Sequence, residues 1–137
     1  MYQPIANNVV VSNGSGFNAV QTTEAVPLDG AAYVTIQVTC TGLTAATGSP
    51  KFKVTVEASE DGATWRAIDA SASGDVGVRP VLVTTAPSFA NSGSVLNTGG
   101  SYTTTPLTFG FVRLRYDVYD GTDTVAIFSA GIAVSRT

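Results

Sequence analysis

Side chains alternate through residues 112–119, with Val112, Leu114, Tyr116 and Val118 on one parity and Arg113, Arg115, Asp117 and Tyr119 on the other. A repeat of two buries one face only when the chain is extended, so this pattern demands a strand with one side against a core. The same alternation returns three times. Val34, Ile36, Val38 and Cys40 oppose Thr35, Gln37 and Thr39; Phe52, Val54, Val56 and Ala58 oppose Lys51, Lys53, Thr55 and Glu57; and Phe128, Ala130, Ile132 and Val134 share a parity within 124–135. No window carries a 3.6-residue apolar repeat, so no helix longer than a turn is expected. The chain reads as all-β.

Turn chemistry punctuates these runs. Asn13–Gly16 ends a short strand at 9–12, residues 17–23 read as a second strand, and Pro27–Gly30 is a turn. Thr41–Pro50 reads as loop. Asp61-Gly62 and Asp120-Gly121 each sit between two apolar-periodic runs, which predicts two hairpins, 51–58 with 64–68 and 111–119 with 124–135. Pro80 starts a strand at 80–85 or marks an edge. Residues 86–100 form the longest irregular stretch, of the kind that carries contacts in a compact domain. With 137 residues, the chain is long enough for one two-layer core spanning 1–137. The predicted fold is a single jelly-roll-like antiparallel β-sandwich of about eight strands.

Charge sets the functional expectation. Only 12% of the residues are Asp, Glu, Lys or Arg, and there is no His; soluble domains sit near ~25% charged. Sheet edges are ordinarily kept apart by charge. A β-protein so poor in it is expected to work packed against copies of itself or other proteins. The segment 1–16 and the loop 86–100 are the expected contact regions, with Pro87, Ser88, Phe89, Val95 and Leu96 as the contact residues. A closed cyclic homo-oligomer, such as a trimer, would cover edges. The net charge of −3 and the lack of a basic stripe argue against a nucleic-acid partner. No apolar run approaches the ~20 residues of a membrane helix, so no membrane partner is expected. Met1–Asn8 lack the basic and apolar regions of a secretory leader, so synthesis and assembly in a cytosol are expected.

Little in the sequence points to chemistry. Without His the common catalytic triads are excluded. Glu57 with Glu60, or Asp117 with Asp120, are the carboxylate pairs that glycoside hydrolysis would need, but turns explain these residues as well. No enzyme, catalytic residue or cofactor is expected. Asp117, Asp120 and Asp123 have the oxygen ligands for Ca²⁺ without the spacing of an EF-hand loop, so no metal is expected. Cys40 shares the parity of Val34, Ile36 and Val38 and reads as a small buried hydrophobe. Lys51, Lys53, Arg113 and Arg115 read as the solvent faces of two strands. Trp65 reads as a plug between sheets, and Tyr119 is the tyrosine whose parity turns it outward.

The segment Val56–Ile68 has the form V-x-x-S-x-D-G-x-T-W-x-x-I, and the strand Phe111–Tyr116 has the form that follows it in β-sandwich modules. This pair resembles small tailed-phage virion sandwiches, including head decoration and tail-associated proteins. It also resembles discoidin-like and carbohydrate-binding jelly rolls. The first resemblance, joined to the low charge, implies a structural virion protein. Its role would be decoration or cement on a bacteriophage capsid, bound to the major capsid protein or another virion protein and to neighbouring copies. The second implies a carbohydrate-binding or host-adhesion module in which Trp65 and Tyr119 stack on sugar rings.

Overall fold

A computed structural model describes residues 2–13, 20–27, 33–68, 81–95 and 110–135. Ten strands lie among them: β1 (Tyr2–Ser12), β2 (Val20–Thr22), β3 (Val26–Pro27), β4 (Tyr33–Thr44), β5 (Lys51–Ser59), β6 (Arg66–Ile68), β7 (Val81–Val83), β8 (Ser88–Val95), β9 (Phe111–Tyr119) and β10 (Val125–Ser135). All pairings are antiparallel and form two sheets. The first has the order β1-β10-β4-β8; the second has the order β2-β9-β5-β6, with β3 also on β9 and β7 also on β5. The fold is an all-β, jelly-roll-like sandwich.

The ten strands occupy eight rows. β2 and β3 lie end to end along β9, and β6 and β7 lie end to end along β5. The break between β2 and β3 has a local cause. Thr23 N–H donates to the Leu114 carbonyl at 2.9 Å, but Leu114 N–H donates to Thr23 Oγ1 instead of a backbone carbonyl, also at 2.9 Å. A side chain thus satisfies the donor and the ladder stops.

The expected parities fill the core. Ile36, Val38 and Cys40 of β4, Phe52, Val54, Val56 and Ala58 of β5, Val112, Leu114, Tyr116 and Val118 of β9, and Ala126, Phe128, Ala130 and Ile132 of β10 are all buried. Phe128 reaches across from the first sheet to Phe52 and Tyr116 of the second, with ring centroids 4.7 and 4.8 Å apart and tilted planes. Such tilted pairs match the charge distribution of aromatic rings. The Tyr116 hydroxyl donates to Gln21 Oε1 at 3.1 Å, so its polar end is satisfied at the sheet edge.

Four sequence expectations change. Residues 111–119 and 124–135 do not form a hairpin: β9 belongs to the second sheet and β10 to the first. The Asp120–Asp123 turn therefore crosses from one sheet to the other. β4 continues through Thr44 into the stretch read as loop, because Thr41–Thr44 run beside the start of β10. Tyr2–Ser12, within the expected contact segment 1–16, is one strand along β10, longer than the strand expected at 9–12. Ser88–Val95 is likewise a strand and not irregular, since every residue of it pairs with Tyr33–Cys40. Leu96, Pro80, the Gly-spaced stretch 71–78, residues 14–16 and 17–19, and the turn at 28–30 lie outside the described residues.

Candidate assembly surface

Charge divides the two sheets. No residue of β1, β4, β8 or β10 is charged. The charged strand residues are Lys51, Lys53 and Glu57 of β5, Arg66 of β6, and Arg113, Arg115 and Asp117 of β9, all in the other sheet. The low charge of the chain is thus concentrated into an uncharged sheet and a charged one.

The outer face of the uncharged sheet follows from register. Ile127 pairs with Val10 on one side and with Gly42 on the other. Two residues along, Ser129 pairs with Thr39, and Thr39 pairs with Phe89. Beyond them come Gly131 beside Gln37, and Ala133 beside Thr35. Hydroxyls, an amide and small residues thus surround three bare apolar side chains, Val10, Ile127 and Phe89, which are 60%, 36% and 65% exposed. Ser129 Oγ also accepts from Asn8 N–H at 3.0 Å, which holds the irregular part of β1 to the sheet. Covering a surface of this kind costs less than covering ions, because only neutral hydroxyls and an amide have to be stripped of water.

The residues expected to make contacts fall at one border of this sheet. Pro87 is exposed and leads into β8. Ser88 pairs with Cys40, and its Oγ is shielded from solvent with no hydrogen-bond partner among the described residues. Phe89 is on the outer face. Val95 ends the strand opposite Tyr33, and Leu96 lies outside the described residues. Sequence reasoning covered Val10 only as part of the segment 1–16 and missed Ile127 and Thr39. Val10 and Ile127 were legible as the off-parity apolar residues beside Val11 and Phe128.

The charged sheet uses its ions internally. Glu57, only 7% exposed, receives Arg113 Nε at 2.8 Å and lies 3.7 Å from Arg115 Nη1. The Arg113 guanidinium in turn lies over the Trp65 ring, 4.2 Å from its centroid, a favourable placement for a cation on an indole face. Arg113 and Arg115 are therefore not free solvent-facing cations. Trp65 is not a plug between the sheets, since it is half-buried on the outer side with Arg113. Tyr119 is half-buried and faces Lys51, whose Nζ is 6.0 Å from its ring. Tyr119 lies six positions along β9 from Arg113, roughly 20 Å of extended chain, so Trp65 and Tyr119 do not form a joint platform.

The acidic residues do not converge either. Asp120 takes Lys51 Nζ at 2.7 Å on the surface. Asp117 stands opposite Lys53 on the strand pair, and burial raises its carboxyl above the ordinary range against the pull of Arg115 and Lys53. Among the described residues no group of three His, Cys, Asp or Glu side chains gathers as a metal site. Cys40 is buried, its thiol donates to the Gly42 carbonyl at 3.3 Å, and burial raises its pKa. A raised thiol is a poor nucleophile. A cleft of about 600 Å³ opens where the irregular part of β1 meets Glu24–Val26; its polar walls include Gln3, Asn7, Glu24 and Ser129. No helix among the described residues is long and apolar enough to cross a membrane.

No protein-family model and no curated protein sequence matches this chain. Among solved structures, the chain is similar to one from the naturally empty top-component particles of Cowpea mosaic virus. The two are 10% identical, with a TM-score of 0.48, over 98% of this chain and 86% of that one. It is also similar to a chain of Broad Bean Stain Virus, at 7% identity and a TM-score of 0.46, over 100% of this chain and 87% of that one. A third likeness is to the C-terminal family 22 carbohydrate-binding module of Clostridium thermocellum Xyn10B, at 12% identity and a TM-score of 0.41, over 98% of this chain and 85% of that one. These are likenesses of fold.

Proposed function

We propose that this protein is a structural, non-enzymatic component of a virus particle, a decoration or cement protein of a phage capsid that seats the outer face of its uncharged sheet on the shell. The observation that carries this reading is the segregation of charge: β1, β4, β8 and β10 hold no Asp, Glu, Lys or Arg, yet their outward side includes Val10, Ile127 and Phe89. A face without ions binds by area and fit. Each copy need bind only weakly, because a shell repeats its sites and neighbouring copies support one another. The alternative role in sugar binding draws no support from Trp65 and Tyr119, which lie far apart, the indole already taken by Arg113.

The test uses particles of the virus that encodes the chain, purified on a density gradient. The wild-type protein is expected to co-sediment with them at a fixed ratio to the shell subunit. Val10→Lys and Ile127→Lys place a cation on the outer face at exposed positions, so each should melt close to the wild type and yet leave the particles bare. Normal loading of both variants, or absence of the wild-type protein from the particles, would sink the reading.

A further inference from the structure

The rows at the borders of the two sheets are not finished alike. Along β9 the border row is split into β2 and β3, and along β5 it is split into β6 and β7. β1 is long, but it contains Pro4, its register shifts between Pro4 and Ala6 and again between Ala6 and Val9, and Asn8 adopts a left-handed φ of 48°. Short rows, proline and bulges are the devices by which border strands avoid pairing with other chains. β8 has none of them. Its eight residues pair one to one with β4 with no shift, and it contains no proline and no charge. Every second residue of a border strand directs its N–H and C=O away from the sheet, and those groups need partners. Among the described residues nothing pairs with that side of β8.

We propose that the border of β8 that no described residue pairs joins antiparallel with β8 of a second copy about a two-fold axis, which makes the two uncharged sheets one continuous sheet. Three observations select a second copy as the occupant. The protein carries a net charge of −3, so copies repel wherever their acidic groups meet, but no residue from Val81 to Val95 is charged, so this stretch offers no like charge to a second copy. An isologous antiparallel pair uses the same backbone groups from both sides, so a regular strand with no shift is complementary to itself. The joined sheets also extend the uncharged outer face without a break, which deepens the assembly reading above and rests on it for its setting.

The size of the contact fixes its character. An eight-residue strand is about 26 Å long, and one strand border covers well under the ~800 Å² per partner of a standard stable interface. Pairing is therefore reversible in dilute solution and persists where copies are held side by side. The pair closes at two copies, so a trimer would need a different surface.

The experiment is sedimentation velocity on the purified full chain over a wide concentration range, together with cysteine cross-linking. The wild type should show a monomer–dimer equilibrium, and Phe89→Lys and Asn91→Lys should each weaken it at least tenfold with little change in melting temperature. Single substitutions Phe89→Cys, Asn91→Cys, Ser92→Cys and Ser94→Cys should give oxidised dimers with a maximum near the middle of the strand; Cys40 is buried and does not compete. A chain that stays monomeric at every concentration overturns the proposal, as does a dimer that cross-links through Val10→Cys on β1 and not through β8. Strong amide protection of β8 in a monomer would overturn it too, since another part of the same chain would then hold the border. A β8-linked dimer that is absent from particles sinks the virion role and leaves this pairing standing. A protein that loads onto particles and never cross-links through β8, even on the particle, does the reverse.

Discussion

Asp61 and Asp117 are both aspartates on or beside strands of the charged sheet, and their surroundings push them in opposite directions. Asp61 Oδ1 accepts from Ala63 N–H at 2.8 Å, Thr64 N–H at 2.9 Å and Ser59 Oγ at 3.0 Å, while Ser59 Oγ accepts from Gly62 N–H at 2.8 Å. The backbone donors of Thr64 and Ala63, then Ser59, hold the Asp61 carboxyl below its usual range. A lowered folded-state pKa adds stability above the unfolded value of ~3.9, and that stability is lost as pH falls through the folded value. Asp117 is raised, chiefly by burial, so its contribution is present at low pH and lost as pH rises through its folded value. Melting temperature measured against pH should separate them. Asp61→Asn should flatten the fall on the acid side, because an amide oxygen still accepts the two backbone donors without titrating. Asp117→Asn should raise the melting temperature at neutral pH by removing an ionised group from a partly dehydrated site. An unchanged acid limb in the first variant, or a lower neutral melting temperature in the second, would contradict this account.

The two Asp-Gly turns look alike in sequence and do different things as elements. Gly62, at φ 80°, joins β5 to β6 within one sheet, whereas Gly121, at φ 130°, carries the chain from one sheet to the other. The second turn is locked from two sides. Thr122 N–H donates to the Thr47 carbonyl at 2.9 Å and Ala46 N–H donates to the Thr122 carbonyl at 2.8 Å, which ties it to the other crossing, between β4 and β5. Asn13 Oδ1 accepts from Thr124 N–H at 2.7 Å and Asn13 N–H donates to the Thr124 carbonyl at 3.1 Å. A Cβ at Gly121 would stand 2.7 Å from Thr124 Oγ1 and 3.2 Å from the Thr47 carbonyl, while one at Gly62 would meet only the Phe111 ring at 3.6 Å. Chemical denaturation should therefore show Gly121→Ala destabilised by about 2–3 kcal/mol, Gly62→Ala by about 1 kcal/mol, and Asn13→Ala by about 1–2 kcal/mol; equal losses at the two glycines would refute the locked crossing. This contrast also shows what a period of two can reveal. It assigns faces, so the core residues of β4, β5, β9 and β10 are legible. It does not name a strand's partner, and the pairing of β10 with β4 and β1 depends on residues remote in sequence. β8 escaped for another reason: Ser-Phe-Ala-Asn-Ser-Gly-Ser-Val carries too few large apolar residues to show any alternation.

At the scale of the whole molecule, the two outer faces make opposite demands on solvent. On the charged sheet, Glu57, Arg113 and Trp65 satisfy one another within a single stack, and Lys51 with Asp120 forms a surface pair of the kind worth little to stability. On the uncharged sheet, Val10, Ile127 and Phe89 stand among Thr39, Ser129 and Gln37 with no ion to screen. Candidate contact residues were legible in sequence where they stood off-parity, but the segregation of charge was not, because it depends on which strands share a sheet. It has a measurable consequence. At ~1 M salt the Debye length shrinks to ~3 Å and contacts between exposed charges weaken. Association through the uncharged sheet should survive that change and strengthen in sulfate, which favours burial of apolar surface. Light scattering of the self-associated protein, and pelleting of the loaded particles, should therefore hold steady from low to high sodium chloride and rise in sulfate. Dissociation in ~1 M sodium chloride would move the contact off the uncharged sheet and onto surface that carries ions, because a contact without ion pairs is not salt-labile.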